Sequence, residues 1–315
     1  MKILVTGGAG FIGSAITEML CQEKHEVTVF DDLSKGYKEN IDKRAIFIQA
    51  GLEEKEKIEY ALQNQEIVIH LAAESIIEDS LKDPEKTLKK NINNLINLLE
   101  GMRKQNIKFI VFSSSAAIYG KAEIKEPIKE NLEKSPLQPY GASKLAGEAI
   151  LSGYYHAFGI NSTSLRYFNV YGPRDNQLPV TRAVPRWIKA ILTNKPIHLF
   201  WEGKQRRDYV FVEDLAKAHL SVLKKPGIHA YNVGSGGQGR KMREILEIIF
   251  NVAGKKTEII YAGERPGDPK FLVADISKIK NEIGWVPEIS LEKGLKKTYE
   301  YYLNNPESLK KIEGV

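Results

Sequence analysis

Three residue types in this sequence have the spacing of a proton-transfer site. Tyr140-Gly141-Ala142-Ser143-Lys144 sets a phenol and an ammonium at i and i+4, on one face of the helix that carries them. A run of serines, Ser113-Ser114-Ser115, follows the apolar stretch 109–112. A free tyrosine titrates near pH ~10 and is a poor base at neutrality. A neighbouring ammonium favours the phenolate and lowers that pKa, as does a positively charged nicotinamide. A serine hydroxyl can donate to the same substrate oxygen. Such a set takes a proton from a sugar hydroxyl as hydride leaves for the nicotinamide, and Lys144 can also hold the nicotinamide ribose.

A second pattern says where such a cofactor would lie. Val5-Thr6-Gly7-Gly8-Ala9-Gly10-Phe11-Ile12-Gly13 satisfies G-x-G-x-x-G from Gly8 and G-x-x-G-x-x-G from Gly7. It follows a strand-like run and opens a helical one. Its glycines permit a tight turn and close approach of backbone to a pyrophosphate at the helix N-terminus. An acid, Asp31, ends the next apolar run. A carboxylate there accepts from both ribose hydroxyls and repels a 2′-phosphate, which favours NAD over NADP. Lys35 is read as a solvated loop charge, the nearby group that would suit NADP instead.

The elements that must hold these groups are legible as a pattern. Short apolar runs at 3–5, 27–30, 46–48, 67–71, 109–112 and 164–167 alternate with amphipathic segments at 13–23, 55–63, 85–104 and 140–158. Continuous apolar strands joined by crossover helices imply an α/β chain built on a parallel sheet. Pro139 suits a first helical turn and Gly159 a stop. After Gly172, Pro173, Pro179, Pro185 and Pro196 break the pattern into short pieces, read as a smaller second domain. Residues 208–223 again read as strand then helix and are placed with the first sheet.

Composition bounds the rest. The 315 residues suffice for one large or two moderate domains. Lys and Arg number 46 against 40 Asp and Glu, a scattered surplus that suits an anionic small molecule and does not argue for nucleic acid. The single cysteine, Cys21, excludes an internal disulfide and suits a reducing compartment, so a cytoplasmic location is expected. Six scattered histidines give no metal spacing, and no apolar run approaches the ~20 residues of a membrane span.

Taken in order, GGAGFIG, DDLS, HLAA at 70–73, SSSAAIYG, YGASK, LRYFNVYGPR, RRDYVFVEDLA, NVGSG and RPGD resemble the extended short-chain dehydrogenase/reductases, specifically the NAD-dependent nucleotide-sugar epimerase/dehydratase group. The resemblance runs from Lys2 to about Tyr302. It implies a Rossmann-type doubly wound sheet with a smaller, mostly α+β substrate-binding domain. Residues 1–170 with 207–234 would bind NAD, and 171–206 with 235–315 the nucleotide sugar. Gly7, Gly10, Phe11, Ile12, Gly13 and Asp31 would hold NAD, with Leu52, Leu71, Ala72, Ala73 and Asn91 lining its site beside Tyr140 and Lys144. Ser115 would be the catalytic hydroxyl. Asn169, Arg207 and Arg265 would meet a UDP-sugar diphosphate, since guanidinium forks suit phosphate. Phe200 would lie beside the uracil, Asp268 at its ribose and Leu272 near the sugar C2 substituent. A homodimer through the helices at 85–104 and 140–158 is also implied.

Three positions depart from the family pattern. Gly51 stands where an Asp usually meets adenine, Trp201 where a glycine is usual, and Asn94 for a helix glycine. The reaction is read from Ser115-Ala116-Ala117. The dehydratases carry an acid pair after the hydroxyl, and decarboxylases tend to S-E-V-Y-G. With neither, a 4-keto sugar formed by oxidation can only be reduced again, on either face. The resemblance therefore implies interconversion of UDP-hexoses at C4, and Leu272 leaves room for N-acetyl forms. A uronate epimerase or decarboxylase, an epimerase acting at C2 or C5, or a non-catalytic NAD-binding regulator are the alternatives.

Overall fold

The computed structural model describes residues 1–120, 125–175, 182–264 and 269–310. Strands β1 (Lys2–Thr6), β2 (Glu26–Asp31), β3 (Ile46–Gln49), β4 (Ile67–His70), β5 (Phe109–Ser115) and β6 (Asn161–Tyr167) join a last strand, Ile228–Val233, in one seven-stranded sheet. The order is Ile228–Val233, β6, β5, β4, β1, β2, β3, and every pairing is parallel. Strand order reverses between β1 and β4, which opens a crevice at their carboxyl ends.

Side chains alternate across this sheet and both faces are covered. Ile3, Val5, Val29, Ile67 and Ile69 pack with Ile16 and Leu20 of α1 (Phe11–Gln22). Leu4, Phe30, Val68 and Ile110 pack on the opposite face with Ile58 of α2 (Lys55–Ala61). A short α3 (Ile77–Lys82) leads into α4 (Pro84–Lys104), whose Leu95, Leu98 and Leu99 join that second core, as does Leu151 of α5 (Pro139–Phe158). Burying each such side chain contributes roughly 1.5–3 kcal/mol. Asp83 caps α4 by accepting from the Lys86 amide at 2.9 Å, and Pro84 fills its first turn. Gly159 ends α5 in the left-handed conformation.

A third core lies beyond the sheet. It gathers Trp187 and Ile188 of α6 (Ala183–Thr193), Ile245 and Leu246 of helix Met242–Ala253, and Leu295 and Tyr302 of helix Leu291–Asn304. The placement of residues 208–223 with the main sheet is corrected. The helix forms as α7 (Val212–Ser221) and packs on α1, but strand Tyr209–Phe211 pairs with Asn169–Tyr171 in a separate two-stranded sheet. The edge position beside β6 is taken by Ile228–Val233.

Two buried histidines give the fold an acid limit. His70 Nδ1 lies 2.7 Å from Thr6 Oγ1, and burial, with the Lys144 ammonium nearby, holds its pKa down to about 3. His219 Nδ1 donates to the Leu215 carbonyl at 3.0 Å, so its Nε2 accepts from the Tyr167 hydroxyl at 2.7 Å; burial takes its pKa down to about 4. Both folded pKa values lie below the unfolded value of 6.5. The stability is therefore complete above that value and is lost as pH falls toward 4, by ~1.4 kcal/mol per pH unit for each histidine. Urea denaturation at falling pH should show this slope, and His219→Gln should remove about half of it. An unchanged slope in that variant would show that His219 already titrates freely.

Candidate active site

The glycine-rich turn is built by contacts that leave no room for side chains. Gly7, at φ 75°, donates its amide to the Phe30 carbonyl at 2.9 Å. A Cβ there would come 2.7 Å from the Ala72 amide nitrogen. A Cβ on Gly13 would overlap the Gly7 carbonyl oxygen. Asp31, at the end of β2, accepts from the Ala9 amide at 3.0 Å and the Leu33 amide at 2.9 Å. Burial pushes its pKa up and those two bonds oppose the shift. A carboxylate has about four acceptor positions, so two amides leave capacity for ribose hydroxyls. Lys35 is ion-paired with Asp79 at 3.3 Å, which occupies the cation there that would answer a 2′-phosphate.

A cavity of about 370 Å³ runs from this turn along the sheet edge. Gly7, Gly10, Phe11, Ile12, Gly13 and Asp31 line it at one end. Leu52, Leu71, Ala72, Ala73, Asn91 and Tyr140 complete the lining named from sequence, and Lys144, itself buried, is the one member of that set that does not line the cavity. An elongated anionic dinucleotide suits this lining, since backbone approaches it and an acid awaits the ribose. The Asn91 amide is engaged inside the protein. It accepts from the Glu74 amide at 2.8 Å and donates to the Glu74 carbonyl and to Ser143 Oγ. It thereby holds the loop after β4 against α5. At Gly51 the Glu53 carboxylate folds over the space a Cβ would take, so an acid still flanks that position.

Ser115, Tyr140 and Lys144 meet where β5 ends and α5 begins. The three serines belong to β5 itself and do not merely follow the apolar stretch that marks it. Ser115 Oγ accepts from the Ala117 amide at 3.2 Å and caps a short turn, Ala116–Tyr119. Gly141 lets α5 press on that turn, since a Cβ would lie 2.6 Å from the Ala117 carbonyl oxygen. The Lys144 ammonium lies 5.9 Å from the centre of the Tyr140 ring and 4.9 Å from that of Phe112. Burial takes the lysine pKa down to about 7. Burial also raises the Tyr140 pKa, against a hydrogen bond with Ser115 and the positive charge of Arg182. The lowered phenol expected from sequence is thus outweighed by desolvation.

Sequence reasoning missed the support under this turn. Arg166 grips Glu148 with two bonds, 2.9 and 2.7 Å, and Glu148 accepts from Ser114 Oγ at 2.6 Å. Arg166 also donates to the Tyr119 hydroxyl at 2.8 Å, which donates to Asn232 at 2.7 Å. A bidentate buried pair of this kind fixes β5, β6 and α5 together. Tyr119 and Arg166 lay inside motifs already noted, while nothing near Glu148 marked it.

A second cavity, of about 740 Å³, opens on the other side of Tyr140. Asn169, Phe200, Arg207 and Leu272 line it, with Ser115 and Tyr140 at its head. Arg265 and Asp268 lie outside the described residues. Asn169 Oδ1 is buried with no hydrogen-bond partner among the described residues. Asp208 ties this wall together, accepting from the Ser235 amide at 2.7 Å and the Ala274 amide at 2.9 Å. Trp201 sits at φ 53°, the left-handed conformation that glycine takes freely. Ser115, Tyr140, Tyr167, Phe168, Asn169 and Arg182 are among the residues that line both cavities.

A doubly wound parallel sheet with a Ser–Tyr–Lys set between two such cavities defines a short-chain dehydrogenase/reductase of the extended kind. The chain belongs to the NAD dependent epimerase/dehydratase family, whose model matches residues 3–234. A UDP-glucose 4-epimerase of Thermotoga maritima, solved with UDP-glucose, is 35% identical, with 97% of this chain and 100% of that one covered at a TM-score of 0.93. A UDP-glucose 4-epimerase of Thermus thermophilus, solved with NAD, is 37% identical, with coverage of 96% and 99% and a TM-score of 0.90. A UDP-N-acetylglucosamine 4-epimerase of Methanobrevibacter ruminantium, solved with UDP-N-acetylmuramic acid, is 32% identical, with coverage of 96% and 98% and a TM-score of 0.91. Among the described residues, no helix is long and apolar enough to cross a membrane.

Proposed function

We propose that the protein interconverts UDP-hexoses at C4, with NAD as its resident cofactor. The observation that carries this reading is the junction of the two cavities at Ser115 and Tyr140, with alanines at 116 and 117 where an eliminating enzyme needs an acid pair. The names of the solved relatives support it, for UDP-glucose and for an N-acetylhexosamine.

The residues divide the work between two ends of the substrate. Asn169 and Arg207, with Arg265, hold the diphosphate, while Phe200 and Asp268 hold the nucleoside. The glycine turn, Asp31 and the wall from Leu71 to Ala73 hold NAD. Bound NAD would supply the hydride acceptor and donor that inversion at C4 requires. Tyr140, as phenolate, takes the proton of the 4-hydroxyl, and Ser115 donates a hydrogen bond to that oxygen. Lys144 stabilises the phenolate. With the diphosphate gripped, the 4-keto sugar turns about its link to the phosphate and presents its other face. Tyr140 then gives its proton back to the same oxygen, now with C4 inverted.

Proton NMR tests the reading, with UDP-galactose in one tube and UDP-N-acetylgalactosamine in another. The gluco epimer should form in the first, and its rate in the second measures the room that Leu272 leaves. Activity without added NAD would mean that the cofactor is retained through purification. No epimer in either tube, with NAD supplied, would overturn the assignment and send the search to uronates and pentoses. We also propose a cytoplasmic homodimer through α4 and α5, which lie side by side; light scattering at the monomer mass would reject the dimer.

A further inference from the structure

Arg182 belongs to none of the motifs that pointed to the site, yet it lines both cavities at the junction that carries Ser115 and Tyr140. Its guanidinium is held from two sides. Nε donates to Asp175 Oδ1 at 2.6 Å, and Nη2 lies 2.5 Å from the same oxygen. Its Cζ stands 5.4 Å from the centre of the Phe11 ring, at the end of the glycine turn. Asp175 is 1% exposed, and its Oδ2 has no hydrogen-bond partner among the described residues. Asp175 reaches only the first cavity, so the guanidinium and not the carboxylate faces the substrate side. A cation aimed by a buried acid and seated over an aromatic ring is a built feature, even with its side chain 40% exposed to the cavities.

We propose that Arg182 is a second cation of the proton-transfer site, stabilising the Tyr140 phenolate across the cavity junction, with Asp175 as the positioning residue that aims it. This deepens the 4-epimerase reading and rests on it for the identity of the base. Among the described residues, the titratable and charged groups facing Tyr140 are Lys144 from its own helix, Tyr167 from β6 and Arg182 from just before α6. Tyr167 stays neutral, because burial drives its pKa far up. Lys144 sits near the loss of its own charge at neutral pH, since burial brings it down to about 7. A guanidinium keeps its charge throughout the working range. The phenolate therefore has a permanent counter-charge where its neighbouring ammonium is marginal.

The test compares the wild-type protein with Arg182→Met, Arg182→Lys and Asp175→Asn, loaded with NAD and turning over UDP-galactose. Arg182→Met should move the acid limb of the kcat–pH profile up by about one pH unit, and lower kcat roughly tenfold at neutral pH. Arg182→Lys should restore most of the shift, and Asp175→Asn should give part of it. Tyrosinate absorbance of the unliganded protein is the second readout. The component that Tyr140→Phe removes should appear at correspondingly higher pH in Arg182→Met. A variant whose kcat falls by one factor at every pH, with the limb and the absorbance unmoved, would reduce Arg182 to a structural residue and overturn the proposal. If no UDP-hexose is epimerised by the wild-type protein but the absorbance still shifts, the reaction assignment fails and the electrostatic role survives.

Discussion

With Tyr140 replaced by phenylalanine, kcat for 4-epimerisation is expected to fall about 10³-fold, within the 10²–10⁴ that a positioned acid–base group contributes. The phenyl ring keeps its place at the first turn of α5, where Pro139 and Gly141 fix the backbone against the Ala117 carbonyl. Only the hydroxyl and its bond with Ser115 are lost, at about 1 kcal/mol of stability. Affinity for UDP should be unchanged, because the diphosphate grip proposed above lies with Asn169 and Arg207, which line the second cavity. NMR rates and calorimetric titration with UDP separate the two effects. A Tyr140→Phe variant that keeps more than about a tenth of the turnover would remove the phenol from the mechanism and leave Ser115 or Lys144 to move the proton.

The site was legible where function and local pattern coincide. The glycine turn, Asp31 and the Tyr–Lys pair each occupy one stretch of chain, and the strands of a sheet covered on both faces read as apolar runs. Polar strand residues broke that rule. Ser113, Ser114 and Ser115 follow the apolar run that marks the strand, yet they continue β5, because Glu148 satisfies the buried Ser114 hydroxyl from α5. Strand Tyr209–Phe211 misled in another way, since its partner, Asn169–Tyr171, lies far back in the chain and no local signal encodes that pairing. Asn91 lines the first cavity, but its amide partners, Glu74 and Ser143, come from separate segments. Arg182 was invisible for the same reason, because Asp175 and Phe11 give it meaning only once the chain has folded.

Gly13→Ala sets two opposing effects against each other in the first turn of α1. Helix propensity alone favours alanine by ~1 kcal/mol. Sterics oppose it, because the new Cβ would overlap the Gly7 carbonyl oxygen and stand 2.8 Å from Gly8 Cα. These are backbone atoms, and Gly7 is tethered to the Phe30 carbonyl on one side and pressed against Ala72 on the other. Relief must come from displacing the glycine turn proposed to hold the dinucleotide. Affinity for NAD should then fall by about 100-fold, equivalent to ~3 kcal/mol, with a lower Tm as well. Titration of NAD into cofactor-free protein measures the first and thermal unfolding the second. Gly153→Ala, in α5, supplies the contrast. Nothing lies within 4 Å of its added methyl, so propensity acts alone and should raise stability by up to ~1 kcal/mol. Were Gly13→Ala to bind NAD as the wild type does and melt higher, the close contact of α1 with the Gly7 turn would not be what shapes the cradle. The opposite signs of these two glycine substitutions separate the part of the helix that propensity governs from the part that the cofactor turn governs.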